Sequence, residues 1–318
     1  MAASTGTVTT SPRPVINPML VLGVGLIAVT SAAIMIRAAQ GQGVPSLVIA
    51  AGRLLVATVV LTPVALQRYR AELRGLSRRE IRLCLVSGVF LALHFALWIT
   101  SLEFSSVVSS LVLVTTNPLW VVILSFPLLG ERVRREVVIG IVLAFIGGIM
   151  VALSGDAGEA PTRPAPLLGN MLAVGGAITY AIYLLIGRRV RAKLPVIPYI
   201  WLVYGTAAFT LIVVLPIKGE QVGGLPLAGY AAILGLGLIP QLLGHSSFNY
   251  ALGYFSAAFV SMVVLVEPIA TGILALIVFD EIPTLPSVIG AAIILLGLGI
   301  AALQPDVAEA EIESEASL

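Results

Sequence analysis

One carboxylate stands inside a long apolar stretch of the chain. Glu267 follows the apolar residues 262–266 and is followed by Pro268 and a mostly apolar run to residue 279. If this stretch crosses a membrane, the carboxylate lies near the midplane, where it must face protein or a water-filled cavity. Apolar surroundings favour the neutral acid, which suits a group that binds and releases a proton. The alternative is a protonated Glu267 that only holds two helices together.

Two Xaa-Pro pairs occupy corresponding positions in the chain. Asn117-Pro118 and Glu267-Pro268 are separated by 150 residues. A proline inside a helix has no N–H to donate, so the carbonyl four residues earlier, at Val114 or Val264, loses its partner. Two helices interrupted at equivalent depths are typical of a binding site at the membrane midplane.

Polar side chains also recur at helical spacing on two further segments. They are His94, Trp98 and Ser101 on one segment and Gln241, His245 and Asn249 on the other. Spacings of three and four residues place each set on one helix face, so both stripes are predicted to face one central cavity. A buried histidine that is satisfied by packing is the alternative for each. No second histidine or carboxylate lies at a ligand spacing, so we expect no metal site.

Arg53 and several aromatic residues are weaker candidates. Arg37 and Arg53 are expected to extend their long stems to the outer interface, but Arg53 lies deeper and is also a candidate for binding a substrate carboxylate or pairing with an acidic group. Tyr180, with Tyr183, Trp201 and Tyr204, is a candidate aromatic wall for a ligand. Aromatic residues are also ordinary at membrane interfaces.

The composition identifies the environment of these residues. The chain has 318 residues, of which 58% are hydrophobic and 11% charged, with a mean hydropathy of +1.06. A soluble domain has about 25% charged residues, and a membrane-spanning helix needs roughly 20 apolar residues. Ten such runs are present, at about 18–38, 46–67, 82–102, 105–127, 133–154, 167–187, 196–217, 227–252, 256–279 and 284–303. The sequence therefore predicts an all-α membrane protein with ten spans.

The segments outside the spans predict the orientation. Placing the N-terminus inside gives the cytoplasm 14 of the 18 basic residues, in agreement with the positive-inside rule. Residues 1–17 lack the pattern of a cleaved signal peptide, and residues 304–318 are an acidic tail expected to be solvated. Both termini are then cytoplasmic. Asn17-Pro18 and Ser77–Glu80 are predicted helix starts, the second as a capping box.

The chain repeats itself at the same spacing of 150 residues. ERVRREVVIGIVLAFIGGIMVAL (131–153) corresponds to EIPTLPSVIGAAIILLGLGIAAL (281–303). Residues 18–154 and 155–303 are thus predicted to be two five-helix units, and an odd number of spans places the second unit upside down. Inverted repeats are the architecture of secondary transporters. A duplicated membrane scaffold without transport activity is the alternative.

These segments resemble a known family. LLGER (128–132), PQLLGHSSFNYAL (240–252), VEPIATGILALIVFDE (266–281) and the two glycine-rich fifth helices are similar to the EamA branch of the drug/metabolite transporter superfamily. The resemblance implies a ten-helix transporter of the bacterial cytoplasmic membrane that exports amino acids or other small metabolites. FDE at 279–281 departs from the LGE that the family usually shows and loses a helix-ending glycine at residue 280.

The sequence favours no enzymatic activity. The single cysteine, Cys84, excludes an intramolecular disulfide and a cysteine metal cluster, and it has no histidine near it in sequence. No H-E-x-x-H motif is present, so a membrane-embedded hydrolase or lipid transferase is the least favoured class. We expect a monomer or homodimer in the lipid bilayer, with a small-molecule substrate and protons as a candidate coupling ion. No cofactor and no nucleic-acid partner are expected.

Overall fold

The computed structural model describes residues 16–105, 107–130, 133–155, 165–267, 270 and 285–302. Within these residues the chain is all-helical and contains no strand. Its helices are α1 (Pro18–Thr30), α2 (Ala32–Gly41), α3 (Ser46–Arg68), α4 (Arg70–Arg74), α5 (Arg78–Phe104), α6 (Val107–Val114), α7 (Asn117–Leu129), α8 (Arg135–Gly155), α9 (Pro166–Arg191), α10 (Val196–Lys218), α11 (Leu227–Leu236), α12 (Ser246–Ala251), α13 (Ala257–Val263) and α14 (Leu285–Ala302). A π-helical segment, Gly237–His245, joins α11 to α12, and a 3₁₀ turn, Val264–Val266, follows α13.

The described helices are long and apolar enough to make this a multi-pass membrane protein. Seven of them, counted within the described residues, qualify as membrane spans: 18–41, 46–68, 78–104, 110–129, 167–191, 196–218 and 227–251. Shorter apolar helices lie at 257–266 and 288–300. All seven coincide with runs predicted from composition. The total of ten spans and the inverted arrangement stay predictions.

Local sequence signals set where two of these helices begin. The side chain of Asn17 accepts a hydrogen bond from the N–H of Met19, and Pro18 takes the first position of α1. At the start of α5, Ser77 and Glu80 exchange the two hydrogen bonds of a capping box. Both predicted helix starts are confirmed, because each side chain satisfies an N–H group that has no partner inside the helix.

Helix contacts follow the sequence repeat. α3 packs against α10, and α8 packs against α14. These are the second and fifth helical stretches of each copy, each against its counterpart. α5 packs against α9, while α1 packs against the π-segment and α12, so the third stretch of each copy lies beside the first stretch of the other. This exchange pattern is the one expected when two equivalent units are related by a two-fold axis.

Glycines allow the closest approaches between the two copies. A Cβ placed on Gly147 of α8 would lie 2.5 Å from the carbonyl oxygen of Gly290, and one on Gly297 of α14 would lie 2.4 Å from that of Gly140. No side chain fits at such distances, so these backbones touch. The prediction that glycines of the fifth and tenth spans serve close helix packing is confirmed.

Equivalent polar clamps close one end of each copy. Arg37 at the end of α2 donates to the carbonyl of Leu102, and Arg188 of α9 donates to that of Leu252, 3.1 Å away. Leu102 and Leu252 are 150 residues apart. One helical turn earlier, Gln40 donates to Ile99 and Arg191 to Asn249, each at 2.9 Å. Arg37 was expected to extend to the outer interface, but its guanidinium instead donates to a carbonyl at a helix C-terminus, where carbonyls lack donors within the helix.

Candidate functional site

A cavity lies among helices from both sequence copies. Its lining is mostly apolar and aromatic, with one carboxylate and a few polar groups, as is usual for small-molecule sites. The lining residues are Val29, Ala32, His94, Trp98, Val114, Thr115, Asn117, Tyr180, His245, Phe248, Val264 and Glu267. Six of the sequence-predicted site residues are thus brought together: His94, Trp98, Asn117, Tyr180, His245 and Glu267.

The cavity lies where the two copies meet symmetrically. Three pairs of lining residues differ by the repeat offset of 150 residues: Trp98 with Phe248, Val114 with Val264, and Asn117 with Glu267. Both copies therefore contribute equivalent sequence positions to the lining of this cavity. The two valines are identical, but the side chains of the other two pairs differ in chemistry. Equivalent positions of the two copies therefore present different groups to the cavity.

The first interrupted helix ends at the cavity wall. α6 stops at Val114 and α7 starts at Asn117, so the helix breaks just before Pro118. Pro118 has no N–H for the Val114 carbonyl, and the Nδ2 of Asn117 donates to that carbonyl instead, at 3.3 Å. The amide of Asn117 thus supplies a donor to the carbonyl at this interruption.

The second interrupted helix tightens as it approaches the carboxylate. After α13, residues Val264–Val266 form a 3₁₀ turn, and the N–H of Glu267 donates to the carbonyl of Val264. The carbonyl that Pro268 would leave unpaired thus takes a donor from one residue earlier. Pro268 itself lies outside the described residues, so its predicted role stays a prediction. The Glu267 side chain is only 6% exposed and lines the cavity, which agrees with the expected placement facing protein.

The two histidines lie beside the same tyrosine. The ring centroids of His94 and His245 are 4.6 Å and 5.8 Å from that of Tyr180. Nδ1 of His94 donates to the carbonyl of Gly176 at 2.9 Å, since a carbonyl can only accept. His94 also stacks on Trp98 at 5.8 Å. The histidines, tyrosine and tryptophan make an aromatic wall opposite the broken helices.

Two predicted members of the second polar stripe lie outside the cavity lining. Gln241 accepts a hydrogen bond from Nε of Arg53 at 3.1 Å. Asn249 accepts one from the hydroxyl of Tyr183 at 2.8 Å and donates to the carbonyl of His245 at 2.7 Å. Of this stripe, only His245 is a lining residue, because the other two amides are held by neighbouring helices.

The other aromatic candidates are packing residues. The Tyr204 hydroxyl lies 3.2 Å from that of Ser246, and the Trp201 indole donates to Thr62 at 3.0 Å. With Tyr183 bound to Asn249, only Tyr180 of the four predicted aromatics lines the cavity. The Ser101 hydroxyl lies 2.6 Å from that of Ser110, joining α5 to α6.

Arg53 does not reach the interface. Its side chain is completely buried, and its Cζ lies 4.1 Å from the centre of the Phe95 ring. The snorkelling interpretation is therefore wrong: other helices cover the stem and the guanidinium on all sides. Arg53 lies behind the aromatic wall rather than in the cavity lining.

Three lining side chains carry a buried polar atom that has no hydrogen-bond partner within the described part of the chain. They are Nε1 of Trp98, Oδ1 of Asn117 and Nδ1 of His245. Buried polar atoms in folded proteins are normally paired, and unpaired ones gathered around one cavity are expected to bind a ligand or water. The cavity thus offers an indole donor, an amide acceptor and an imidazole nitrogen beside the carboxylate. No group of residues able to hold a metal ion occurs in the described chain.

Two features of the site were missed by the sequence reasoning. Phe248 lines the cavity, and its equivalence to Trp98 at the repeat offset is the signal that identifies it. The π-segment was expected to be ordinary helix. Pro240 lies inside it and cannot donate to the carbonyl of Leu236, which signals a departure from regular α-helix.

The fold defines a multi-pass membrane protein with a cavity between two repeats. Residues 18–153 and 167–303 each match the EamA-like transporter family. The chain therefore belongs to this family of transporters, in agreement with the predicted resemblance.

Individual relatives agree with this assignment. The transporter YyaM of Bacillus subtilis, described as uncharacterized, is 25% identical over 231 residues, covering 70% of this chain and 75% of the relative. An uncharacterized transporter of Archaeoglobus fulgidus is 26% identical over 230 residues, covering 72% and 79%. A probable terminal-alkyne amino-acid exporter of Streptantibioticus cattleyicolor is 26% identical over 187 residues, covering 58% and 61%. A solved crystal structure superposes with a TM-score of 0.73 at 19% identity, over 90% of this chain and 96% of the other, and shows the same fold.

Proposed function

We propose that the protein is a secondary transporter that works by alternating access between two inverted five-helix repeats. The observation that supports this proposal is the cavity that equivalent positions of both copies line. Because the two copies contribute equivalent positions around this cavity, exchanging the conformations of the copies gives a second packing arrangement that is nearly equivalent to the first. In that second arrangement the cavity opens to the other face of the membrane. The ten spans and the cytoplasmic termini belong to the same proposal.

The substrate is a small amphipathic metabolite, with amino acids and related compounds favoured, and the direction is export. The cavity supports the first point, since its mostly apolar and aromatic lining with one carboxylate suits a small molecule with an apolar body. The relative named as a probable amino-acid exporter supports the second. The location is the bacterial cytoplasmic membrane, as the basic loops indicate.

Glu267 carries the coupling proton. It is the carboxylate among the lining residues, and it is nearly buried. It also lies beside an irregular helical segment whose backbone can change conformation around it. Tyr180, His94 and His245 line the same cavity and are the other titratable groups that face it. A proton that enters with one arrangement of the repeats and leaves with the other drives substrate uphill.

Two alternatives are opposed by specific features. A scaffold without transport gives no reason for buried unpaired polar atoms around a central cavity. An intramembrane enzyme needs a nucleophile with a base, but the lone cysteine, Cys84, is buried in α5 and is not a lining residue.

Metabolite profiling tests the export proposal. Cells that overproduce the wild-type chain, and cells that overproduce Glu267→Gln to the same level, are grown in minimal medium, and both media are analysed without preselected targets. We expect one or more small amphipathic compounds to accumulate outside only with wild type, together with tolerance to a toxic analogue. Identical media and tolerance in the two cultures would contradict export.

A further inference from the structure

Arg53 is a buried cation with unused hydrogen-bonding capacity. It lies in the first half of α3, is fully buried, and makes one hydrogen bond through Nε to Gln241. Its two terminal nitrogens, Nη1 and Nη2, have no hydrogen-bond partner among the residues that the structure describes. A guanidinium is costly to bury unless its donors are satisfied. A group that supplies two acceptors is therefore expected at some stage of the protein's activity.

One aromatic ring separates this guanidinium from the cavity wall. The Phe95 ring lies 4.1 Å from Cζ of Arg53. On its other sides it contacts two lining residues, with ring centroids 4.8 Å from His94 and 5.1 Å from His245. Phe95 is fully buried and its ring makes no hydrogen bond, so packing alone keeps it between the guanidinium and the cavity.

The chemistry of the two terminal nitrogens selects the ligand group. A guanidinium presents its N–H groups as a planar fork that matches a carboxylate with two parallel hydrogen bonds. In the present arrangement Nε is already used by Gln241, so the fork formed by Nη1 and Nη2 is the one left for a ligand. Gln241 belongs to the π-segment, so the contact holds the guanidinium against the element that carries His245.

We propose that Arg53 is the residue that recognises the carboxylate of the transported molecule, and that Phe95 is the ring that moves to admit it. The inference rests on the proposed transport function and adds a specificity determinant to it. The substrate class is then a compact carboxylate with an apolar body, as opposed to an amine without an acid group.

A matched pair of probes separates this role from a structural one. Binding of phenylalanine and of phenethylamine, which lacks only the carboxylate, is measured by calorimetry on the purified full chain in detergent. Wild type is expected to bind phenylalanine at least about tenfold more tightly, the usual effect of one charge-assisted hydrogen-bonded pair. Arg53→Met removes this preference and leaves phenethylamine binding in place, whereas Arg37→Met, which removes a half-buried arginine outside the cavity lining, keeps the preference.

Two further measurements cover other outcomes. Arg53→Lys keeps the positive charge but lacks the planar fork, so it is expected to retain an intermediate preference for phenylalanine. This variant also tests the proposal if Arg53→Met does not fold. Equal binding of the two probes by wild type, or an unchanged ratio in a folded Arg53→Met protein, would overturn the assignment. Counterflow of phenethylamine in proteoliposomes measures transport separately. If counterflow persists while phenylalanine and phenethylamine bind equally well, the transport proposal stands and only the proposed role of Arg53 is contradicted. If neither probe binds or moves, both proposals are contradicted.

Discussion

At the scale of single residues, the two copies carry chemically different side chains at one equivalent position. Asn117 and Glu267 are equivalent in the two copies, and both line the cavity beside a helix break. The amide of Asn117 replaces a missing backbone donor, which fixes it in place. The Glu267 backbone N–H does the equivalent work in the second copy, which releases its side chain from that task. This difference explains why a proton carrier is proposed at one position and a structural amide at the other.

Replacing Asn117 by leucine tests this assignment. Asn117→Leu keeps the approximate volume but leaves the Val114 carbonyl without its side-chain donor, so we expect a loss of stability of about 1–3 kcal/mol. Thermal unfolding in detergent measures it. Asn170→Leu is the control, since Asn170 is half-buried, is not a lining residue and accepts a hydrogen bond from Ser105. An Asn117→Leu protein that unfolds with wild type would remove the amide from its proposed role.

The residue types in the sequence predicted which side chains line the cavity better than they predicted whether Arg53 is buried. Glu267, His94 and Asn117 were identifiable because each is costly inside a membrane without a partner. The burial of Arg53 was not, because an arginine stem reaches the interface or the interior with equal ease, and the packing of Phe95 and Gln241 decides between them. Which face Gln241 presents also depends on the π-segment, and periodicity of the sequence assumes regular helix.

At the scale of helices, the irregular segments gather at the cavity. α6 ends there, the 3₁₀ turn Val264–Val266 leads to Glu267, and the π-segment carries His245 to it. Each irregularity contains or precedes a proline in the sequence. Breaks of this kind place backbone groups at membrane depth only where protein or water surrounds them. The breaks were predictable from Pro118 and Pro268, whereas the π geometry was not, because its hydrogen bonding depends on how α1 and α3 pack against it.

Removing the first break tests whether it serves activity. Pro118→Ala restores the N–H that the Val114 carbonyl lacks, so we expect the folded protein to be at least as stable as wild type. Transport is expected to fall several-fold, because the continuous helix no longer bends at the cavity. Substrate flux normalised to folded protein measures it.

Pro127→Ala provides the comparison for this variant. Pro127 lies in the same helix, α7, but is exposed and distant in sequence from the break. We expect wild-type flux from Pro127→Ala. Equal flux from both proline variants would show that the break at Asn117 has no part in transport.

At the scale of the whole molecule, the repeat explains the arrangement of helices and clamps. The second and fifth helical stretches of the two copies pair with their counterparts, and arginine clamps bind the equivalent carbonyls of Leu102 and Leu252. The repeat was visible in sequence because glycines and prolines recur at a fixed offset. The orientation in the membrane depends on charges in loops, and the packing of helices carries no information about which face is cytoplasmic.

Cysteine labelling tests the orientation. Gly223 is exposed between α10 and α11, and Arg74 is exposed at the end of α4; these two connections are predicted to lie on opposite faces, while the native Cys84 is fully buried. We expect Gly223→Cys to react with an impermeant thiol reagent in intact cells and Arg74→Cys to react only after the cells are opened. The unmodified chain is the control and is expected to stay unlabelled. Labelling of Arg74→Cys in intact cells would reverse the orientation.

The central claim is that Glu267 couples proton movement to transport through the cavity that both copies line. The direct measurement is substrate flux driven by a pH gradient in proteoliposomes, normalised to folded protein. Glu267→Gln preserves shape and hydrogen-bonding capacity but cannot exchange a proton, so we expect uphill transport to fail while substrate exchange continues. Glu267→Asp is expected to keep partial coupling with a shifted pH optimum. Glu103→Gln, which changes an exposed carboxylate at the end of α5, is expected to behave as wild type. Full uphill transport by Glu267→Gln would contradict the claim and leave Glu267 as a packing residue beside a helix break.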